Sequence, residues 1–337
     1  MAFELGDIRV SGSPREIGRQ LGQAGRKAAH DLLLTTPYWA NVTRPDHAAT
    51  VTRLGQATRA RFPTIWQELQ GLAEGLALPF ADVLAWNCRG DLLDNTADGC
   101  TTVQLPGASP MIGHNEDGLP QFRGHAFLAH VTPGDAPGFV AFCYPGSLPG
   151  HTFAATQAGL AQAVNNMRLT GVVPTIPRMV LGRALLACHS LDQAVALLSD
   201  SPDCGGFHMT LGQAGAAQLR SVEFGAGAVA VTGIEAPAIH ANHALHLSVP
   251  QIVTTSSRDR QRIGEALLAE GTTDPIAILR HTGGPGLPIL RTAPDDPDCE
   301  NTLATVRLEL HADHIALKVL DQSGAERALR VSRQNPA

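Results

Sequence analysis

Cys100 stands directly after Gly99 in the run Asp98-Gly99-Cys100-Thr101-Thr102, where a helical texture gives way to strands. Glycine before cysteine has a chemical use. Lacking a Cβ, Gly99 can take strained dihedrals that present its carbonyl to the next side chain. The Cys100 thiol can attack that carbonyl and form a thioester, which water hydrolyses to leave Cys100 as a new chain start. Its freed α-amine has a reference pKa of ~7.7–8.0 and its thiol one of ~8.5, so one residue supplies both base and nucleophile. Taken alone, Gly-Cys-Thr is more often a buried cysteine in a turn.

Other groupings compete for chemistry. His240, His243 and His246 are spaced by three, and His311 and His314 repeat the interval. On a helix the first set would share a face and could ligate zinc. However, AIHANHALHLSV reads as strand and turn, where that spacing scatters side chains. No HExxH or paired-cysteine motif accompanies the histidines, so no metal is expected. The acidic run Asp295-Asp296-Pro297-Asp298 lacks the glycine and terminal glutamate of a calcium loop and reads as a solvated surface loop. No GxGxxG follows a strand and there is no P-loop, so no nucleotide cofactor is expected.

The elements that must position Cys100 fall into a helical start, a strand-rich middle and a mixed end. Ser13-Pro14-Arg15-Glu16 is a capping box with proline at the first helical position. Ile17, Leu21, Ala24, Ala28 and Leu32 then mark one helical face, Ile65, Leu69, Leu72 and Leu76 a second, and Asp82 to Asn87 a short third helix. Up to about residue 95 only helices and connecting loops are expected. From Thr101 the runs TTVQL, MIGHN, HAFLAHV, FVAFCY, LAQAVNN and HMTLG suit antiparallel strands. Helices are expected over Ile176–Leu186, over Ser190–Leu198 with a capping box of Ser190 and Gln193, and after Ser256-Ser257 through Ile263, Leu267 and Leu268. TLATVRLEL and HIALKVLD alternate like a hairpin turning near His311 to Asp313. This is an α+β texture with no linker between independent domains.

Composition narrows the function classes. The 337 residues carry 25 Lys+Arg against 31 Asp+Glu, a formal charge of −6, which argues against a general nucleic-acid binder. A 44% hydrophobic share suffices for a sizeable core, and no apolar run reaches the ~18 residues of a membrane span. Glycine (34) and proline (23) support many tight turns. The N-terminal stretch lacks the basic-then-apolar order of a secretion signal, and the six cysteines are scattered, so a reducing, cytoplasmic setting is expected.

Several ordered motifs carry a wider resemblance. They are IGRQLGQAGR at 17–26, ELQGLAEGLALPFADVLAWNCRGDLL at 68–93, DGCTTV at 98–103, GHNEDG at 113–118, HANHAL at 240–245 and PGLPILRT at 285–292. Together they resemble the acyl-coenzyme A:6-aminopenicillanic acid acyltransferase family, also called isopenicillin N acyltransferase-like proteins, over most of the chain. The resemblance implies an α-β-β-α sandwich of the N-terminal-nucleophile hydrolase type. It implies one domain of two chain segments, a helical segment 1–99 and a catalytic segment 100–337, parted by self-cleavage between Gly99 and Cys100. It further implies Cys100 as nucleophile, Asp117 as the group that holds the new α-amine and thiol, and Asn242 as an oxyanion donor. Arg291 would anchor the aspartate or a substrate carboxylate. Read alone, Asp117-Gly118 is a turn, Asn242 a strand-end cap and Arg291 a solvated cation. Glu116 stands where the penicillin-forming members have an aromatic residue, so the pocket should be more polar, and Asn166 is a candidate for its wall. The scarcity of aromatic residues, 4% of the chain, gives little reason to expect a large aromatic acyl pocket. The activity implied is hydrolysis or transfer of an acyl group at the amide of a small N-acyl or aminoacyl amine, with coenzyme A-dependent transfer as the alternative; an unprocessed ligand-binding relative is a further one. No cofactor is implied. The partners implied are a small-molecule amide and the two fragments themselves as a heterodimer, with a higher oligomer left open and no nucleic acid or membrane.

Overall fold

A computed structural model describes residues 2–94, 96 and 99–334. Its strands are β1 (Gly6–Gly12), β2 (Gly99–Leu105), β3 (Met111–Gly118), β4 (Phe127–Pro133), β5 (Phe139–Cys143), β6 (Ala154–Thr156) and β7 (Leu160–Asn166). They continue with β8 (Phe207–Gln213), β9 (Leu219–Gly225), β10 (Ala228–Ile234), β11 (Ala238–His240), β12 (Asn301–Leu310), β13 (His314–Asp321) and β14 (Glu326–Ser332). Two sheets result, an eight-stranded one in the order β1-β4-β5-β6-β7-β8-β9-β10 and a six-stranded one in the order β11-β2-β3-β12-β13-β14. Every pairing is antiparallel except β1 with β4.

The strands and helices expected from the sequence are largely present, and the fold is α+β. One expectation is corrected. The stretch before residue 95 is not all helix and loop, because Gly6–Gly12 is a strand running parallel to β4. Along it only Val10 is buried, so its apolar pattern is too thin to read. Ser13 does close a capping box with Glu16. Ser190 caps its helix by accepting from Gln193 N, but the Gln193 side chain accepts from His189 N instead of completing the box.

Alternation along β2 and β3 decides what faces what. The register sets Cys100 opposite Glu116 and Thr102 opposite His114, while Gly99 lies opposite Asp117 and Thr101 opposite Asn115. Thr102, Gln104 and His114 thus point toward the eight-stranded sheet, where Thr102 meets Asn165 of β7 and Gln104 meets Thr210 of β8. On the reverse side Val103 and Leu105 pack with Ile239, Ile263, Ile278 and Leu279, which brings in the helices Thr255–Ala269 and Pro275–Leu279. The other sheet buries Leu160, Val164, Phe207 and Met209 against Met179, Leu181 and Leu198 of the helices Arg178–Leu185 and Leu191–Ser199. A large apolar core also joins residues before Gly99, such as Leu21, Leu69 and Leu76, to Phe127, Phe142 and Phe153 after it. No described helix is long and apolar enough to cross a membrane.

Candidate active site

Gly99 and Cys100 open β2 and are buried. Gly99 lies in the β2 ladder opposite Asp117. Its lack of a side chain has a steric cause: a Cβ there would fall 2.1 Å from Glu300 Oε2. Asp98 lies outside the described residues.

The backbone N–H of Cys100 donates to Asn242 Oδ1 at 2.9 Å. The same oxygen accepts from Arg260 Nη2 at 2.6 Å, while Asn242 Nδ2 donates to Asn166 O at 2.9 Å. The amide oxygen of Asn242, not its nitrogen, therefore faces Cys100, and one of its two N–H bonds is taken by Asn166. Arg260 Nη1 donates to the Cys100 carbonyl and to Thr101 Oγ1. Burial lowers the Arg260 pKa, and the carboxylates of Asp117 and Glu300 act to raise it.

The thiol of Cys100 donates to Glu116 Oε2 at 3.7 Å, and the same carboxyl oxygen is 3.1 Å from His114 Nε2. Burial pushes the His114 imidazole down to about 3, so the ring itself is a weak base. Sγ, a His114 nitrogen and a Glu116 oxygen lie within 4.8 Å of one another. A cavity of about 10 Å³, roughly one water, opens beside them and is lined by Arg89, Cys100, Glu116, His151, Asn166 and Phe207. Arg89 also borders a neighbouring cavity of about 20 Å³ lined by Tyr38, Trp86, Phe122 and Tyr144. The aromatic space near the thiol is real but small.

Asp117 lies across the ladder from Gly99. Its Oδ1 accepts from Thr302 Oγ1 at 2.6 Å, and its Oδ2 is buried with no hydrogen-bond partner. Burial raises its pKa, against the pull of Arg260 and Arg291. The Arg291 guanidinium does not hydrogen-bond Asp117; it is gripped by Asp296 and Glu300, and Glu300 also takes Arg168 Nη2 at 2.7 Å. The acidic run is thus not simply a solvated loop, because the Asp296 side chain is only 6% exposed. The structure brings Cys100, Gly99, Glu116, Asp117, Asn166 and Asn242 into one buried polar cluster, with Arg291 at its rear through Glu300 and Thr302. The histidines spaced by three make separate contacts: His240 pairs with Glu223 at 2.8 Å and His243 with Ser257 Oγ at 2.8 Å.

Sequence reasoning missed Arg260, His114, Thr302 and Glu300. Only His114 carried a usable signal, since it stands two residues before Glu116 on one face of a strand.

Two sheets with flanking helices, and a buried cysteine surrounded by amide, carboxyl and guanidinium groups, define an α+β protein with a thiol-centred polar site. The chain belongs to the acyl-coenzyme A:6-aminopenicillanic acid acyl-transferase family, whose model matches residues 105–323. That match includes Glu116, Asp117, Asn166, Asn242 and Arg291 and begins just after Cys100. The chain is also similar to the beta-alanyl-dopamine/carcinine hydrolase of Drosophila melanogaster, with 25% identity over 220 residues that cover 58% of this chain and 57% of that protein. It therefore spans little more than half of that relative's length.

Proposed function

We propose that the protein is a self-cleaving N-terminal-cysteine amidohydrolase with the layered sandwich of that enzyme class. The thiol of Cys100 attacks the carbonyl of Gly99 in the intact chain, and the resulting α-amine serves as base in later turnovers. In turnover Cys100 then attacks the substrate amide, the amine leaves, and water releases the acyl group from the thioester. The remaining N–H of Asn242 Nδ2 donates to the developing oxyanion. Arg291 acts from behind, by fixing Glu300 beside Gly99.

One observation carries this reading: Asp117 Oδ2 is buried without a hydrogen bond, on the residue facing Gly99 across the ladder. A buried carboxylate oxygen left without a donor is costly, and an α-amine liberated at Cys100 would supply one. Glu116 and Asn166 form part of the wall of the thiol cavity and give it polar character. The substrate class is a small N-acyl or aminoacyl amine, and the relative's name makes a β-alanyl amide the first to try. Acyl transfer from coenzyme A is the second reading, favoured by the family's description.

The test is N-terminal sequencing with denaturing mass spectrometry of the wild type and Cys100→Ala side by side. The wild type should yield pieces beginning at residue 1 and at Cys100, and the alanine variant one intact, inactive chain. An active wild type that stays whole overturns the mechanism. Incubation of the processed enzyme with a β-alanyl amide, with and without coenzyme A, separates hydrolysis from transfer.

A further inference from the structure

A base is missing from the first step of that mechanism. Before the cut, the nitrogen of Cys100 is an amide whose lone pair is held in resonance, so it cannot take the thiol proton. The hydrogen bonds around His114 show where that proton can go.

Asn165 Nδ2 donates to His240 O at 3.1 Å, which fixes Asn165 Oδ1 as the end that faces Thr102 and His208. Thr102 has one hydroxyl proton and gives it to Asn165 Oδ1 at 2.6 Å. At the 2.8 Å contact between Thr102 Oγ1 and His114 Nδ1 the ring must therefore be the donor. His114 thus carries hydrogen on Nδ1. Its Nε2 meets Glu116 Oε2 at 3.1 Å, and two bare acceptors would repel at that distance. One proton must lie between them, as imidazole with carboxylic acid or as imidazolium with carboxylate. Either way the pair is neutral overall, and its shared oxygen is the one that touches Sγ.

We propose that Glu116 is a catalytic residue and His114 its positioning partner, and that together they accept the thiol proton of Cys100 during self-cleavage. The inference rests on the self-cleaving reading above. Glu116 Oε2 takes the proton from sulfur while the proton already shared moves fully to His114 Nε2. The thiolate forms a C–S bond to the Gly99 carbonyl carbon. The C–N bond to Cys100 breaks, and the pair returns its extra proton to that nitrogen, giving the α-amine and a thioester. Water then cleaves the thioester to the Gly99 carboxyl group and the Cys100 thiol. The pair ends with the one proton it began with.

Self-cleavage rates of the wild type and Glu116→Gln, followed by denaturing mass spectrometry, test the proposal. Glutamine can still donate to His114 Nε2 but cannot relay a proton, so cleavage should slow by ~10²–10⁴ with thermal stability near the parent. Equal rates overturn the proposal and leave the self-cleaving reading intact. A wild type that never cuts overturns both. Nitrogen-15 histidine NMR on the uncleavable Cys100→Ala chain reads the proton directly, even if the glutamine variant folds poorly. A protonated Nδ1 on His114, with a hydrogen-bonded proton shared between Nε2 and Glu116, is expected. An unprotonated Nδ1 overturns the proposal.

Discussion

Asn242 has two tasks that can be separated by measurement. Its oxygen satisfies Cys100 N and Arg260, one amide N–H donates to Asn166 O, and the proposed mechanism assigns the other to the oxyanion. Asn242→Ala should lower kcat/KM by ~10²–10³, the usual cost of one oxyanion donor, and should also lower Tm because two buried donors lose their acceptor. Unchanged turnover on a good amide substrate would remove Asn242 from the reaction. Asp117→Asn probes the opposite balance. Burial holds the native Asp117 pKa above its unfolded value, so as pH rises the unfolded state ionises first and stability falls across that interval. The asparagine variant should flatten this fall between acid and neutral pH and be no less stable at pH 7, while self-cleavage slows. A variant that cuts at the parental rate would leave Asp117 as a buried strand residue with no part in the cut. Cys100, Asp117 and Asn242 stand out through the family resemblance of the motifs that carry them; read alone, they are a buried cysteine, a turn residue and a strand-end cap. Arg260 does not stand out. The buried face of its helix is Ser256, Ser257, Arg260, Gln261, Ile263 and Gly264, and a search for apolar periodicity passes over a stripe that is mostly polar.

Elements are set by contacts as well as by periodicity, and the first two long helices show how. Helix Pro14–Ala28 turns Gly18, Gly22 and Gly25 inward with Ile17 and Leu21, whereas Ala24, expected on the apolar face, is exposed. Its partner helix Pro63–Leu76 answers with Gly71 and Gly75. A Cβ at Gly18 would lie 1.9 Å from Glu68 O, and one at Gly71 2.0 Å from Arg15 O, so the two backbones are in direct contact. Gly71→Ala gains helix propensity but must push the helices apart, and a net loss of about 1–3 kcal/mol is expected in urea unfolding. Gly134→Ala, where nothing lies within 4 Å, is the control and should stay within ~0.5 kcal/mol. Loss of the same size in both would show that the close helix contact is not its cause. The glycine spacing was visible in the sequence as motif, but not its use, because a helix face made of glycine has no hydrophobic signal. The acidic run misled for a related reason: charges read as solvated until their counter-ions are known. Arg291 stands only a few residues before Asp296, yet the loop between them has no periodicity that would turn the two side chains together.

Across the whole molecule, the site of the proposed cut lies inside one shared core and not between two. Strand β1 pairs along its full length with β4, so the segment before Gly99 supplies an edge strand to a sheet built by the segment after it. Glu68 and Arg183 form a buried ion pair across the same division, with contacts of 2.8 to 3.0 Å. Asp91 accepts from Gly205 N at 2.7 Å, and Asn87 accepts from Leu148 N at 2.8 Å. Separating the pieces would strand these groups and expose leucines such as Leu21, Leu69, Leu72 and Leu76, each of them ~1.5–3 kcal/mol when fully buried. That sum far exceeds the entropy gained by releasing one fragment. Processed protein should therefore run as two bands on a denaturing gel and as one species in native size-exclusion chromatography. Glu68→Ala leaves Arg183 buried without its carboxylate, at about 3–5 kcal/mol, and should bring the urea midpoint down sharply. In that variant the fragments should part and unfold together, since neither retains a complete sheet-and-helix layer. Fragments that elute separately from the wild type in native buffer would show that the core does not hold the two segments as one unit.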